Sequence, residues 1–295
     1  MKPGYSAGLW LAILAAFGFS AKAIFVKLAY ATAPVAAVTL LALRMVFALP
    51  VFVWVGLRAS RNAAPLTRRD WGVVVMLGLL GYYGASIFDF LGLQYISAGL
   101  ERLILFTYPT LTILISALFF GHRVGRREAG AIVLCYLGIA AAFAHDLGVS
   151  ADTAAVWVGG GFVFASSLSY ALYLAGSARM IARLGAARFT ALAMLVSTAA
   201  TLIHFFATQP LAALIQPLPI YAYGLGMAVL STVIPVFAQS AAIRRIGSGR
   251  AALIGTVGPL ATIVLGWWIL GESLSAWQIG GAGLVVAGVV LVGRR

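Results

Sequence analysis

Residues 99–138 read GLERLILFTYPTLTILISALFFGHRVGRREAGAIVLCYLG, and residues 249–288 read GRAALIGTVGPLATIVLGWWILGESLSAWQIGGAGLVVAG. Laid over each other without a gap, they share ten identities in forty positions: Gly99, Leu103, Ile104, Pro109, Thr112, Ile113, Gly121, Gly130, Leu134 and Gly138 meet Gly249, Leu253, Ile254, Pro259, Thr262, Ile263, Gly271, Gly280, Leu284 and Gly288. Common apolar composition explains part of this, but matched proline and glycine positions fix backbone shape and weigh more. Further out, Trp10 and Phe17 match Trp157 and Phe164 at an offset of 147. The chain therefore reads as a duplication, with halves 1–146 and 147–295.

Composition sets the medium in which this duplication folds. Of 295 residues, 63% are hydrophobic and 9% charged, with a mean hydropathy of +1.04. Soluble domains carry roughly 25% charged residues, so a water-facing surface built from this chain would aggregate. The apolar residues come in blocks of roughly 20, the length a helix needs to cross a hydrocarbon layer about 30 Å thick. Backbone amides left unpaired in lipid restrict spanning structures to helices or closed barrels, and the ten-residue alternation of barrel strands is absent.

The spans read as 7–28, 34–57, 71–91, 98–120, 128–145, 155–176, 188–207, 218–240, 249–271 and 275–293. The first follows Lys2 and lacks a small-residue cleavage pattern, so it reads as an uncleaved helix rather than a signal peptide. Ten spans in two copies give five per copy, and an odd number starts the second copy on the opposite side of the membrane. The expected fold is an all-α membrane protein of ten transmembrane helices formed by two inverted five-helix repeats.

The charges test this independently. Lys2, Arg58, Arg61, Arg68, Arg69, Arg123, Arg126, Arg127, Arg179, Arg183, Arg188, Arg244, Arg245, Arg250, Arg294 and Arg295 all fall on one side. The opposite connections, near 29–33, 92–97, 145–154, 208–217 and 272–274, contain no Lys or Arg. The positive-inside rule then places both termini in the cytoplasm, as for a multi-pass protein of the bacterial inner membrane. The basic loops also change place between the copies: Gln94 and Tyr95 stand where the second copy has Arg244 and Arg245. These sixteen residues account for the net charge of +13 through topology and contact with membrane lipids; no dedicated nucleic-acid surface is called for.

Four basic residues remain: Lys22, Lys27, Arg44 and Arg102. Charges at membrane depth are costly, so they pair or face water and are functional candidates. Rising about 1.5 Å per residue, Arg44 lies about 15 Å below the boundary and Lys22 about 9 Å. Lys27 is close enough to the interface to snorkel. Arg44 either lines a cavity or bonds helix-end carbonyls or an acid. Lys22 either senses substrate or pairs internally with Asp89 or Glu101. Asp89, Glu101 and Arg102 read as a gate near the outer mouth or as a satisfied rim cluster, and either acid offers proton coupling. Pro109 and Pro259, at matched places, read as gating joints or static bends.

The third span carries Gly78, Gly81, Tyr82, Tyr83 and Ala85, with small residues for close helix approach and adjacent tyrosines that cannot point the same way. The second copy puts Thr232 for Tyr82, Gln239 for Asp89 and Ser169 for Lys22. The sixth span adds Ser166, Ser167, Tyr170 and Tyr173. Cys135 is a lone cysteine in an apolar run, and His122, His145 and His204 lack zinc-like spacing; no cofactor or metal is implied. Clustered acid, base and nucleophile residues are likewise missing, which argues against an enzyme.

The segment from Gly99 to Pro109, followed by Gly121 and a Gly-rich helix, and its recurrence at Gly249 to Pro259, Gly271-Glu272 and Gly280 to Gly288, resembles the drug/metabolite transporter superfamily, in its EamA-type ten-helix branch. Gly18, Ser20 and Lys22 in the first span and the stretch Pro34 to Arg44 fit the same pattern. His122 departs from it, standing where the family carries an acid, whereas Glu272 keeps it. The resemblance implies secondary export of amino acids or related small amphipathic metabolites by alternating access. It also implies a cavity lined by spans one, three, four, six, eight and nine, making Lys22, Tyr82, Tyr83, Tyr108, Ser166, Tyr170 and Gln239 the candidate substrate contacts. Anionic or nucleotide-linked metabolites are the second substrate reading, and a non-transporting receptor or scaffold the third. The sequence leaves monomer and homodimer equally open.

Overall fold

The computed structural model describes residues 3–120, 124–246, 254–255 and 257–293. Gly121, His122 and Arg123, the repeat positions Gly249 and Leu253, and the basic residues Lys2, Arg250, Arg294 and Arg295 lie outside them.

Among the described residues every regular element is helical. Eight helices are long and apolar enough to cross a membrane: α1 (Ser6–Thr32), α2 (Ala37–Ser60), α3 (Arg68–Gly92), α4 (Ala98–Phe119), α5 (Arg126–Val149), α6 (Thr153–Leu184), α7 (Ala186–Thr208) and α8 (Leu218–Gln239). Two apolar helices of 10–17 residues follow, α9 (Gly258–Leu270) and α10 (Ala276–Leu291). The chain is thus an all-α, multi-pass membrane protein.

Helix ends follow local chemistry. Thr67 and Asp70 form a reciprocal capping box at the start of α3. Ser97 accepts from the Leu100 amide at 3.1 Å to cap α4, and Asp152 does the same for Ala155 at 2.9 Å on α6. Helices α6 and α7 are joined by Gly185 alone, at φ 80°, and Gly271, at φ 68°, ends α9. Both conformations favour a residue without Cβ. The described α9 is shorter than the span read from sequence: residues 254–255 are helical and a turn at Val257 separates them from α9, while residues 249–253 and 256 lie outside the description.

Helix pairing is reciprocal. α5 packs on α10 and α2 on α7, while α1 packs on α8 as α3 does on α6, and α1 on α9 as α4 does on α6. Exchanging helix numbers by five maps this set of pairs onto itself. Atomic contacts repeat the relation at the α5–α10 seam. A Cβ at Gly138 would lie 2.5 Å from the Gly281 carbonyl oxygen, and one at Gly288 would lie 2.8 Å from that of Ala131. Positions 138 and 288, and likewise 131 and 281, are 150 apart. The Cys135 thiol meets the carbonyl of Val285, its own counterpart, at 3.7 Å.

Three stretches are wound as π-helix, Leu79–Gly84 within α3, Val229–Val233 within α8 and Gly266–Leu270 at the end of α9. The first two start 150 residues apart. Helix α4 is broken at Phe106 and Thr107, just before Pro109, and α9 begins with Gly258 and Pro259.

Candidate substrate site

One end of the bundle gathers the connections that lack Lys and Arg. There Lys27 donates to the carbonyls of Ile96 and Leu93 at 3.1 and 3.4 Å, and Tyr30 donates to that of Phe90 at 2.8 Å. Glu272 reaches from beyond α9 to the start of α4, accepting from the amides of Ala98 and Gly99 at 2.8 and 3.4 Å. A carboxylate suits this place because the first amides of a helix have no intrahelical partner and carry partial positive charge. Gln278 bonds Asp146 at 3.1 and 3.3 Å beside it. At the other end Arg183 pairs with Asp70 at 2.9 Å, and Arg188 donates to the Ala64 carbonyl at 2.9 Å.

Beneath the arginine-free end lies a buried charged cluster. α1 delivers Lys22, α2 Arg44, α3 Asp89, and the first short piece of α4 both Glu101 and Arg102. The Lys22 ammonium is 2.7 Å from Asp89 Oδ2 and 3.9 Å from Glu101 Oε1. Asp89 and Glu101 are 1% and 0% exposed, Lys22 17%, so the acids belong to the interior rather than to a rim. Arg44 lies 5.2 Å over the Phe90 ring and donates to Ser86 Oγ at 2.8 Å. Arg102 lies 5.2 Å over Phe106, beside α9 at a point where a Cβ on Gly258 would be 3.1 Å from its Nη2. Asp89 is held by Lys22 and hydrogen-bonded to Glu101, whereas among the described residues the Nε atoms of Arg44 and Arg102 have no hydrogen-bond partner. Buried polar groups are normally satisfied, so these two Nε atoms are spare donors inside the membrane.

An aromatic track leaves this cluster. Phe106 is 5.7 Å from Tyr108, Tyr108 is edge-on to Tyr170 at 5.1 Å, and Tyr170 stacks on Tyr173 at 5.7 Å. Tyr173 in turn meets Tyr82 at 5.2 Å, with the hydroxyls 3.1 Å apart. Gly81 allows this, since any Cβ there would run into the Tyr173 ring.

Of the adjacent tyrosines, then, Tyr82 joins the track and Tyr83 does not. Tyr83 bonds His204 Nδ1 at 2.9 Å and lines a lateral groove of about 400 Å³ with Leu79, Phe88, Leu91 and His204. Ser166 donates to the Ala85 carbonyl at 2.6 Å, and Ser169, the counterpart of Lys22, to that of Leu80 at 2.7 Å. Gln239 is half-buried on α8. Pro109 cannot donate to the Leu105 carbonyl, and Ser167 does so instead at 3.1 Å; Ser20 bonds the Gly258 carbonyl, next to Pro259, at 3.0 Å.

Sequence reasoning missed Tyr173 as part of the track, Ser167 as the partner of the broken helix, and the reach of Glu272. The Gly271-Glu272 pair was visible, but its partners lie 173 and 174 residues away. No periodicity marks such a contact.

Charged and aromatic side chains buried together among membrane-length helices define a membrane transporter rather than an anchor. The chain belongs to the EamA-like transporter family, whose pattern it matches over residues 6–144 and 157–294. The family pattern thus matches the chain twice in succession. It is 30% identical over 291 residues to "Uncharacterized transporter YcbK" of Bacillus subtilis (strain 168), covering 94% of this chain and 90% of that one. It is 27% identical over 230 residues to the "Probable terminal-alkyne amino-acid exporter" of Streptantibioticus cattleyicolor, covering 75% and 73%. A solved structure described as "Crystal structure of protein" shares the fold at TM-score 0.66 and 19% identity, covering 97% of this chain and 96% of that one. The general activity of this chain is secondary transport of small metabolites.

Proposed function

We propose that the chain exports amino acids or related small amphipathic metabolites across the bacterial inner membrane, by alternating access of two inverted five-helix repeats. The observation that carries the substrate assignment is the charged cluster of Lys22, Asp89, Glu101 and Arg102 standing at the head of the Phe106, Tyr108 and Tyr170 track. Both signs of charge beside aromatic faces match a solute with a zwitterionic head and an apolar body. The amino-acid exporter among the relatives supports the same class.

Reciprocal helix pairing and the counterpart contacts at α5–α10 support the inverted arrangement. Opening toward the arginine-free side requires Glu272 to leave the α4 amides and Lys27 to leave its two carbonyls. Pro109 follows the break in α4 and Pro259 stands at the start of α9, and Ser167 and Ser20 bond the carbonyls of Leu105 and Gly258 beside them. Arg44, Glu101 and Arg102 hold the floor of this gate, and the arginine-bearing loops face the cytoplasm.

One observation favours the anionic reading: the cluster holds three cations against two acids. Counterflow in liposomes separates the two. Purified protein is expected to exchange labelled aromatic and aliphatic amino acids saturably, both with and without an imposed proton gradient. Exchange of a phosphorylated metabolite with none of any amino acid would replace this assignment by the anionic one.

A further inference from the structure

We infer that Asp89 and Glu101 form an ammonium subsite, and that Lys22 occupies it in the empty carrier as an internal stand-in for the amine of the cargo. The inference rests on the transport reading for the identity of the cargo, though not for the existence of the subsite.

Three observations carry it. First, the two carboxyl groups stand together and Lys22 serves them unequally. Asp89 and Glu101 are 1% and 0% exposed, and Lys22 is in contact with the first at 2.7 Å but stays 3.9 Å from the second, beyond hydrogen-bond reach. An ammonium free of a side-chain stem can turn its three N–H groups toward such a set.

Second, the occupant can leave and its hosts cannot. Lys22 sits on a flexible four-carbon stem and retains 17% exposure, whereas Asp89 and Glu101 are enclosed. Removing one partner of a buried pair strands the other, so Lys22 withdraws only as another cation enters. The neighbouring cations are otherwise engaged: Arg44 bonds Ser86 and Arg102 lies over Phe106. Arg102 keeps a buried, unpartnered Nε, available to a carboxylate on the same cargo.

Third, these charges are present in one copy of the repeat alone. At the repeat counterparts of Lys22, Asp89, Glu101 and Arg102 stand Ser169, Gln239, Ala251 and Ala252. The described Ser169 spends its hydroxyl on a helix carbonyl. An element of plain architecture would recur in both copies; this one occurs once, at one end.

The test vacates the subsite and refills it. Full-length K22A and K22Q are placed in lipid nanodiscs and melted in ethylammonium chloride or in potassium chloride at equal ionic strength. Both variants are expected to melt below wild type and to recover with ethylammonium but not potassium, as ligand binding to the folded state requires. Recovery is expected to vanish in K22A/E101Q and K22A/D89N. Equal recovery with potassium, no recovery with either salt, or recovery that survives loss of a carboxylate would overturn the subsite. In wild-type liposomes, L-phenylalanine is expected to be exchanged on the order of 100-fold faster than N-acetyl-L-phenylalanine, whose amide bears no charge. Equal exchange of the two would also overturn it. Exchange of neither counts against the amino-acid assignment alone, and the nanodisc result then decides the subsite.

Discussion

Ser167 shows how much one hydroxyl can carry inside a membrane. Pro109 leaves the Leu105 carbonyl without its helix donor, and Ser167 supplies a replacement at 3.1 Å while also meeting Thr107 Oγ1. Replacing it with alanine strands that carbonyl in a medium without water, at a cost of about 1–3 kcal/mol. S167A is therefore expected to melt several degrees below wild type in detergent, whereas S150A, at a surface turn, should melt with it. Scanning calorimetry on the two variants compares them directly. At this scale the sequence was informative about charge and poor about direction. Lys22, Asp89, Glu101 and Arg102 stand out because ionisable groups are rare at membrane depth. Whether Tyr82 or Tyr83 faces inward was unreadable, because side-chain direction follows from helix winding, and here the winding is not regular α.

That irregular winding belongs to the elements. A π turn adds a residue without adding a turn and rotates everything beyond it relative to the helix before it. The segments at Leu79–Gly84 and Val229–Val233 do this at matched places in α3 and α8. LLGYYG and VLSTV share no pattern that announces it. An interruption near Pro109 was legible, because proline acts through covalent structure; the exact break at Phe106 and Thr107 was not. A second element-scale feature is the hold of Glu272 on the start of α4. Its carboxylate neutralises amides that would otherwise be exposed as the end opens, so E272A should favour the opened state. With Cys135 replaced by serine and A98C introduced, a membrane-impermeant maleimide added from the arginine-free side should label A98C several-fold faster when Glu272 is also alanine. Unchanged labelling would mean that Glu272 does not hold this end shut.

For the whole molecule, the duplication made the architecture largely visible from sequence. The spacing of spans and basic loops reports a constraint imposed by the bilayer on every helix at once, and the described helices fall on those spans. The short α9 and α10 are the places where length alone would have failed and the repeat was needed. Symmetry predicts paired consequences: G138V and G288V both force a side chain into a backbone carbonyl across the α5–α10 seam. They should lower the melting temperature by similar amounts, whereas V at the uncrowded Gly283 should change it little. A large difference between the first two would show that the seam is not equivalent from its two sides.

The meeting of Cys135 with Val285 has a geometric meaning of its own. Under the proposed alternation of two inverted halves, most contacts have a partner contact elsewhere, and one is made while the other breaks. A residue that touches its own counterpart has no such partner: swapping the roles of the halves returns the same contact. It is a fixed point of the operation that turns the carrier inside out. On that reading the α5–α10 seam around it is a stationary hub, and the Cys135–Val285 contact adds nothing to the energy difference between the two facings. That difference is left to features present in one copy alone, the Lys22 cluster and Glu272 among them.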